Sequence, residues 1–203
     1  MELKNEKIIL LQKIMRGYFI RKNIIIPDAN LQTKNWRKNQ KWYNNGKSNE
    51  CEKYQLQQIT KIIGKQLPKT YDRIQMETND IICNKNPLMN EDGYEYTETF
   101  DGKLMQNNKT YYFNLKFICD FGGSQTRTLR EVYHFIKSQM EYLIKYNTTN
   151  IIFVNILDGD TCFYNKNKFE YLQNKEKYKF AKKFIFIGSM YDFQKNKRII
   201  FAK

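Results

Sequence analysis

The segment Ile151–Leu157 constrains the fold of this chain most strongly, because it is apolar at nearly every position and yet short. A short continuous apolar run predicts a strand that is buried on both faces, as at the centre of a sheet. Lys183–Ile187 predicts a second buried strand. Neither run approaches the length of a membrane span. A sheet with such strands needs helices to cover it, which favours an α/β protein.

Two further strands precede the first of these segments. Tyr94–Met105 alternates and Thr110–Cys119 is rich in β-forming residues, while the polar stretch Gln106–Lys109 between them predicts a turn. We therefore expect a β-hairpin. Ser124 follows a glycine pair and is expected to cap a helix that extends to about Tyr146, because apolar residues recur there at helical spacing.

The remaining segments complete the predicted order of elements. Helices are expected over residues 4–24, from Ser48 to about Leu67 and over Lys166–Lys179, with a short edge strand at Arg198–Phe201. Residues 69–93 are ambiguous, although Arg73–Cys83 can hold a strand. The order helix, hairpin, helix, strand, helix, strand predicts an α/β fold with a central mixed β-sheet flanked by helices.

The charge of the chain indicates its partner. The 203 residues include 35 lysines and arginines against 21 aspartates and glutamates, which gives a net charge of +14. A chain this basic is expected to bind a polyanion, and nucleic acid is the first candidate. The sequence shows neither a signal-peptide pattern nor a disulfide framework, so an intracellular protein is expected.

Several reaction classes are excluded by motifs that the sequence lacks. With a single histidine, His134, the chain cannot supply the histidine pair of a HEXXH metalloprotease or of a His-Asn-His nuclease. The motif GxxxxGK[ST] of P-loop NTPases does not occur. The four cysteines are far apart and form no CxxC pair, so the sequence contains no zinc-ribbon or CxxC redox motif.

Residues 1–47 are expected to form a basic N-terminal helix and a DNA-facing linker, and residues 48–203 the main domain. Leu11–Lys22 resembles the IQ motif, a hydrophobic-Gln-xxx-Arg-Gly-xxx-Arg-Lys helix that binds calmodulin-like proteins. The same basic amphipathic helix can instead pack on the domain and offer its arginines to phosphates. We favour the second interpretation, so a calmodulin-like partner is an alternative.

The stretch Lys34–Lys47 is basic, aromatic and rich in turn residues, and we expect it to face DNA. Its cationic side chains suit phosphates, its amides can read adenine, and its tryptophans can stack on bases or wedge between them. The candidate contacts are Trp36, Arg37, Lys38, Asn39, Gln40, Lys41, Trp42 and Tyr43. At the start of the long helix, the candidates are Ser124, Gln125, Arg127 and Arg130. Alternatively, the tryptophans anchor the stretch onto the core.

Asp101, Asn114 and Lys116 are the candidate catalytic residues. Positions 114 and 116 lie two apart on one predicted strand, so both side chains leave the same face. Asp101 lies on the preceding antiparallel strand and can meet them across the hairpin. A carboxylate can hold a divalent cation, and a lysine can stabilise or deprotonate an attacking water, as phosphodiester hydrolysis requires. The alternative is a solvated hairpin face with one aspartate and one lysine.

This pattern resembles the PD-(D/E)XK nuclease superfamily, and type II restriction endonucleases in particular. The shared order is an Asp on one strand, an (Asp/Glu)-x-Lys on the next, then a helix and a strand. Phe117–Leu129 reads FICDFGGSQTRTL and is similar to the Gly-Gly-Ser helix start of some restriction enzymes, and Phe153–Asp160 is similar to their following strand. The resemblance covers roughly residues 94–190. It implies a restriction-endonuclease-like core, a Mg²⁺ cofactor, double-stranded DNA as substrate and a homodimer.

The sequence departs from this pattern at Asn114, where the family has an acid. An amide oxygen can ligate a hard cation but brings no charge, so another carboxylate has to compensate. Asp120 shares the strand parity of Asn114, and Glu98 is expected on the opposite face unless a bulge intervenes. Glu131 lies about two turns into the following helix. Some restriction enzymes of this superfamily use a glutamate on this helix, so Glu131 is preferred to Asp120. Alternatively, Glu131 is an ordinary i,i+4 partner of Arg127.

The sequence therefore predicts a Mg²⁺-dependent, site-specific double-strand DNA endonuclease of the type II restriction kind. In this hypothesis Asp101, with Glu131 or Asp120, holds the metal. Lys116 orients or activates water, and Asn114 occupies the former acid position. Two alternatives stay open. A catalytically inactive nucleic-acid-binding protein of nuclease fold would explain the amide without a replacement acid, and a calmodulin-binding scaffold would rest on the IQ-like helix alone.

Overall fold

The computed structural model describes residues 33–44, 48–86, 89, 93 and 96–202. The predicted helix over residues 4–24, together with its IQ-like motif, lies outside the described residues. None of the described helices is long and apolar enough to cross a membrane.

The described part of the chain begins with two helices, continues with five strands in succession and ends with helices that surround two further strands. The helices are α1 (Thr33–Lys38), α2 (Ser48–Ile63), α3 (Gly123–Tyr146), α4 (Asp160–Tyr164), α5 (Lys166–Gln173) and α6 (Met190–Ala202). The strands are β1 (Asp72–Gln75), β2 (Asp80–Cys83), β3 (Thr97–Thr99), β4 (Gly102–Gln106), β5 (Lys109–Phe117), β6 (Ile151–Asp158) and β7 (Ile185–Gly188). Two short 3₁₀ turns, Glu176–Tyr178 and Ala181–Phe184, lie between α5 and β7.

The central sheet is mixed, as the sequence predicts. Its strand order is β4-β5-β6-β7, with β4 antiparallel to β5 and the other pairs parallel. A second, antiparallel sheet has the order β2-β1-β3. The predicted α/β class with a mixed sheet flanked by helices is therefore confirmed.

The turn and the crossover that build the central sheet follow from local sequence. Asn107 and Asn108 both have positive φ, 53° and 59°, and such a pair suits a two-residue hairpin turn between twisted strands. The helix α3 then returns the chain across the sheet. It is capped at its C-terminal end by Asn147, whose φ of 45° is left-handed. The return places β6 parallel to β5, because a helical crossover restores the strand direction.

β5 and β6 divide the core into two layers. On one face, Tyr112 and Phe153 pack with Phe135 of α3. On the other face, Phe113 packs with Phe193 of α6, with ring centroids 6.1 Å apart. Each buried ring contributes roughly 1.5–3 kcal/mol through removal of its apolar surface from water. Alternate residues of β5 thus face different helices, and this alternation decides which side chains share a site.

The predicted edge strand at Arg198–Phe201 is wrong, because these residues belong to α6. Ser189 and Asp192 exchange hydrogen bonds at the start of this helix: the backbone N–H of Ser189 donates to Asp192 Oδ2 at 3.1 Å, and the N–H of Asp192 donates to Ser189 Oγ at 3.1 Å. This reciprocal pair is a capping box, which starts a helix irrespective of the β-forming residues that follow.

Several predicted boundaries also differ from the structure. α2 ends at Ile63 and not near Leu67, because Gly64 adopts a left-handed φ of 74°. Ser124 is not the cap of α3, since the helix begins one residue earlier at Gly123. The helix predicted over Lys166–Lys179 is shorter, and its second half forms a 3₁₀ turn. α1 lies within the stretch that was expected to be a linker.

Candidate active site beside the β4–β5 hairpin

Asp101 lies at the break between β3 and β4, and two hydrogen bonds attach it to β5. Its backbone N–H donates to the carbonyl of Phe113 at 2.8 Å. Its Oδ2 accepts the backbone N–H of Leu115 at 2.6 Å. Because the carboxylate is bonded to the strand that carries Asn114 and Lys116, the predicted meeting of these residues across the hairpin has a direct structural basis.

The electrostatics of Asp101 identify its neighbours. Burial raises the pKa of Asp101 to about 6, while the charge of Lys116 and the N–H of Leu115 act to lower it. The negative charges of Glu52 and Glu98 raise the same pKa further. Two further carboxylates and one lysine therefore act on the carboxyl group of Asp101, in a chain whose net charge is +14.

Lys116 lines a small cavity, of about 30 Å³, together with two glutamates. Glu98 comes from β3 and Glu131 from α3, and apolar side chains of α3 complete the wall. Glu131 also forms an i,i+4 ion pair with Arg127, with 3.5 Å between Arg127 Nε and Glu131 Oε1. The two interpretations of Glu131 are thus compatible, because one side chain faces Lys116 and contacts Arg127.

Glu98 does not lie on the opposite face, as was expected of it unless a bulge intervened. The parity argument assumes one continuous strand from Tyr94 to Met105, but β3 and β4 belong to different sheets. The chain changes sheet at Phe100 and Asp101, so residues on its two sides no longer alternate on common faces. This break is what brings Glu98 to the cavity that Lys116 lines.

Asn114 is an interior residue. Its Nδ2 donates to Asn155 Oδ1 on β6 at 2.8 Å. Asn155 is in turn joined to Gln139 of α3 by two hydrogen bonds, of 2.7 and 3.1 Å. The Oδ1 of Asn114 is buried and has no hydrogen-bond partner among the described residues. It therefore retains lone pairs that suit a hard cation or a water molecule.

The backbone of Lys116 is held from the opposite face of the sheet. Gln55 of α2 donates from Nε2 to the carbonyl of Lys116 at 3.2 Å and to Asp158 Oδ2 at 2.7 Å. The other oxygen of Asp158 accepts the backbone N–H of Met190, at the start of α6, at 2.9 Å. Burial raises the pKa of Asp158 to about 7. This buried network ties together α2, β5, β6 and α6 beneath the site.

Asp120 does not keep the strand parity on which its candidacy rests. β5 ends at Phe117, and Asp120 lies in a bend with a φ of 79°. Its backbone N–H donates to Asp160 Oδ1 at 2.9 Å, and its carbonyl accepts the hydroxyl of Thr161. The argument that placed Asp120 on the face of Lys116 is therefore wrong, although its possible role as a ligand is a separate prediction.

The tryptophans of the basic stretch pack on the protein. Trp42 stacks on Tyr54 of α2, with ring centroids 4.4 Å apart, and Trp36 meets the same ring edge-on at 6.0 Å. Both indoles are half-buried, as the anchoring alternative predicts. Arg37 and Tyr43 are half-buried as well, with the guanidinium carbon 4.7 Å from the ring centroid.

The other candidate DNA contacts differ in exposure. In the basic stretch, Lys38, Asn39 and Lys41 are exposed, whereas Gln40 is half-buried and donates to the carbonyl of Trp36 at 3.1 Å. At the start of α3, Ser124, Arg127 and Arg130 are exposed, and Gln125 is half-buried. The exposed residues offer charge and amide groups to solvent.

The donor set suits a divalent cation in kind. In the part of the chain that the structure describes, no three His, Cys, Asp or Glu side chains are grouped so as to hold a metal ion by themselves. The oxygens of Asp101, Glu98 and Glu131 are hard ligands of the type that Mg²⁺ prefers. So is the Oδ1 of Asn114, which has no hydrogen-bond partner among the described residues. These residues fit Mg²⁺ in the type of their donor atoms.

Comparison of the chain with protein-family models, with curated proteins and with solved structures gave no significant match. The site must therefore be interpreted from its own residues.

Sequence reasoning missed the contributions of Glu52 and Gln55. Neither residue belongs to a motif that the sequence shows. Both lie on one helix, and its packing against β5 brings them to the hairpin. The local sequence pattern cannot predict such a contact, because the contact depends on which face of the sheet α2 covers.

Proposed function

We propose that the protein is a Mg²⁺-dependent endonuclease that cleaves double-stranded DNA at specific sites, in the manner of type II restriction enzymes, on a restriction-endonuclease-like core. The observation that carries the proposal is the meeting of Asp101 and Lys116 beside the β4–β5 hairpin, with Glu52 and Glu98 acting on the same carboxylate. The net charge of +14 supports a polyanionic substrate. The proposed active unit is a homodimer, because a two-fold protein matches a two-fold DNA site.

In the proposed mechanism, Asp101 and Glu131 would hold the cation, and Asn114 would be a neutral ligand through Oδ1. Bound Mg²⁺ would supply polarisation of the phosphate and a lower pKa of water. The ammonium of Lys116 orients the attacking water and stabilises negative charge that develops on the phosphate. The exposed cationic residues at the start of α3 bind neighbouring phosphates and fix the position of the backbone.

A second candidate function is nucleic-acid binding without catalysis. It is favoured by the amide network of Asn114, Asn155 and Gln139, which gives position 114 an interior packing role that needs no metal. The two candidates differ in one observable property. Both bind DNA, but only the nuclease converts it to fragments when Mg²⁺ is added.

The deciding experiment incubates the protein with supercoiled plasmid in Mg²⁺ and in EDTA, and maps the fragment ends. We expect discrete ends in Mg²⁺. Lys116→Ala should reduce the cleavage rate by about 100-fold or more, since charge stabilisation in the transition state is lost. Its DNA affinity should change little, because many phosphate contacts share the binding. Lys109→Ala, on the same hairpin but at the turn, is the matched control and should cleave normally.

Near-normal cleavage by Lys116→Ala would remove the proposed mechanism. DNA binding by the unaltered protein without Mg²⁺-stimulated cleavage would instead support the second candidate.

A further pair of variants tests which acid replaces the one missing at Asn114. Glu131→Gln should be nearly inactive, because the proposed cation site would lose one of its two charged ligands, and Asn114→Asp in that background should restore part of the rate. The new carboxylate would face Asn155 Oδ1 without a donor, so thermal melting must accompany the assay. If Glu131→Gln and Asp120→Asn each cleave normally, neither residue is the second ligand.

A further inference from the structure

A cleft of about 670 Å³ lies between the first half of α3 and helix α5. Its volume falls within the range of roughly 300–1,000 Å³ that is typical of small-molecule sites. Leu129 and Phe169 form its buried floor. Tyr133 adds a ring beside that floor, with its centroid 6.2 Å from that of Phe169. The interior of the cleft is therefore apolar and largely aromatic.

The rim of the cleft is basic. Arg130 projects from α3 and Lys168 from α5, and both are exposed. None of the described residues that line the cleft carries a carboxylate. Tyr171 also lies on the rim, and 68% of its surface is exposed. A tyrosine with that exposure gains little from packing on the protein. A ligand that complements this cleft has a flat apolar part and a negative group.

We propose that this cleft binds a nucleotide unit, with the base against the aromatic side chains and the phosphate between Arg130 and Lys168. Base stacking on aromatic rings is tolerant of sequence, and a planar guanidinium can bind phosphate through two parallel hydrogen bonds. The unit is either a free nucleotide or a residue of a single strand, since both present the same ring and phosphate.

The cleft is separate from the candidate active site. The residues of α3 that face Lys116 are Thr128, Glu131, Val132 and Phe135, whereas those that line the cleft are Thr126, Leu129, Arg130, Tyr133 and His134. At about 100° per residue these two sets occupy opposite flanks of the helix, whose diameter with side chains is roughly 10–12 Å. The inference thus goes beyond the proposed cleavage activity and does not require it.

The test measures binding to the full chain in EDTA, so that cleavage plays no part. The probes are dAMP, deoxyadenosine, inorganic phosphate and the single strand (dA)₆ carrying a fluorophore. We expect saturable binding of dAMP, and binding about tenfold weaker for deoxyadenosine and for phosphate, because each lacks one half of the complementary ligand. Binding of (dA)₆ alone, with the same response to substitutions, would assign the cleft to a nucleotide within a strand.

Three substitutions locate the ligand. Arg130→Gln and Lys168→Gln should each weaken binding about tenfold, because a charge-assisted hydrogen bond is lost. Tyr171→Ser should weaken it by a similar factor through lost stacking. The matched control is Lys195→Gln on α6, which removes a lysine that lies 4.3 Å from the ring centroid of Tyr191 but is outside the cleft.

The proposal is overturned if neither dAMP nor (dA)₆ binds, or if the cleft variants behave like the Lys195→Gln control. It is also overturned if a short acidic peptide containing tyrosine binds more tightly than both nucleotide probes, because the cleft would then serve a protein partner. None of these results depends on whether the protein cleaves DNA, so failure here leaves the nuclease proposal intact.

Discussion

Replacing Asp158 by asparagine should make the stability of the protein less dependent on pH. The carboxyl group is completely buried between α2 and α6, and burial is the main cause of its raised pKa of about 7. The nearby charge of Asp192 acts in the same direction, whereas the N–H of Met190 and the amide of Gln55 act to lower the pKa. The folded state therefore favours the neutral carboxyl group.

The sign of the effect follows from linkage between protonation and folding. Because the folded pKa lies above the ordinary value of 3.8, this contribution to stability is fully present below about pH 4 and is lost as the pH rises to about 7. Raising the pKa from 3.8 to about 7 corresponds to about 4 kcal/mol as an upper bound. An amide at position 158 stays neutral throughout, so it should escape this loss.

The assay is urea-induced unfolding in EDTA at pH 4.5, 6, 7 and 8, followed by far-ultraviolet circular dichroism. Asp158→Asn and the unaltered protein should have similar free energies of unfolding at pH 4.5. The variant should gain about 1.4 kcal/mol per pH unit from pH 4.5 to about 7, which amounts to about 3.5 kcal/mol at pH 8. The buried Oε1 of Gln55 has no hydrogen-bond partner among the described residues, and it can accept a hydrogen bond from the new amide after rotation.

Asp101→Asn provides the comparison, since burial raises the pKa of Asp101 to about 6. Its gain in stability should have the same sign but should be complete near pH 6. Between pH 6 and 7, Asp158→Asn alone should continue to gain. If the stabilities of Asp158→Asn and the unaltered protein stay parallel from pH 4.5 to 8, the carboxyl is not buried in its neutral form and the reasoning fails.

Three further substitutions test local features, each by thermal and urea unfolding. Gly159→Ala should destabilise the fold on the order of 3 kcal/mol or more, because φ at Gly159 is +97° and an added Cβ would lie 2.1 Å from the carbonyl oxygen of Ile118. A loss of stability smaller than that of an ordinary surface substitution would contradict this. Ser189→Ala should cost about 1 kcal/mol through loss of the α6 cap, and Ser189→Thr, which keeps the hydroxyl that bonds to Asp192, should cost less. Asp80→Asn should lower the free energy of unfolding by up to about 1 kcal/mol at pH 7, since Lys145 lies 2.7 Å from Asp80 and its hydrogen bond is the main cause that lowers the pKa of Asp80 to about 2. The difference in stability between the variant and the unaltered protein should be present above about pH 4 and should vanish as the pH falls through about 2.

The elements that could be predicted from sequence are those with a strong local pattern. The apolar run of β6 and the turn at Asn107 and Asn108 each depend on residues that are neighbours along the chain. The capping box of Ser189 and Asp192 is equally local, and α6 was missed because the β-forming residues near its end were given more weight than its start. The hairpin and the long helix followed from such signals.

The candidate site was predictable in part. Asp101 and Lys116 could be paired because the hairpin fixes their separation, and Glu131 could be placed because its helix starts at a glycine pair. Glu98 was misplaced, because a strand that changes sheet loses its alternation without any change in local composition. The position of such a break in a strand depends on how both sheets pack.

The sequence by itself determined the order of the central elements from the hairpin to β7, the basic charge of the chain and the residue types available for chemistry, since these depend on composition and on periods of two or 3.6 residues. The tertiary structure alone decided that Glu52 and Glu98 act on Asp101, and that Asn114 joins an interior amide network. It also placed Gln55 and Asp158 beneath Lys116. These contacts join residues far apart along the chain, and the burial that sets their pKa values exists only once the helices cover the sheet.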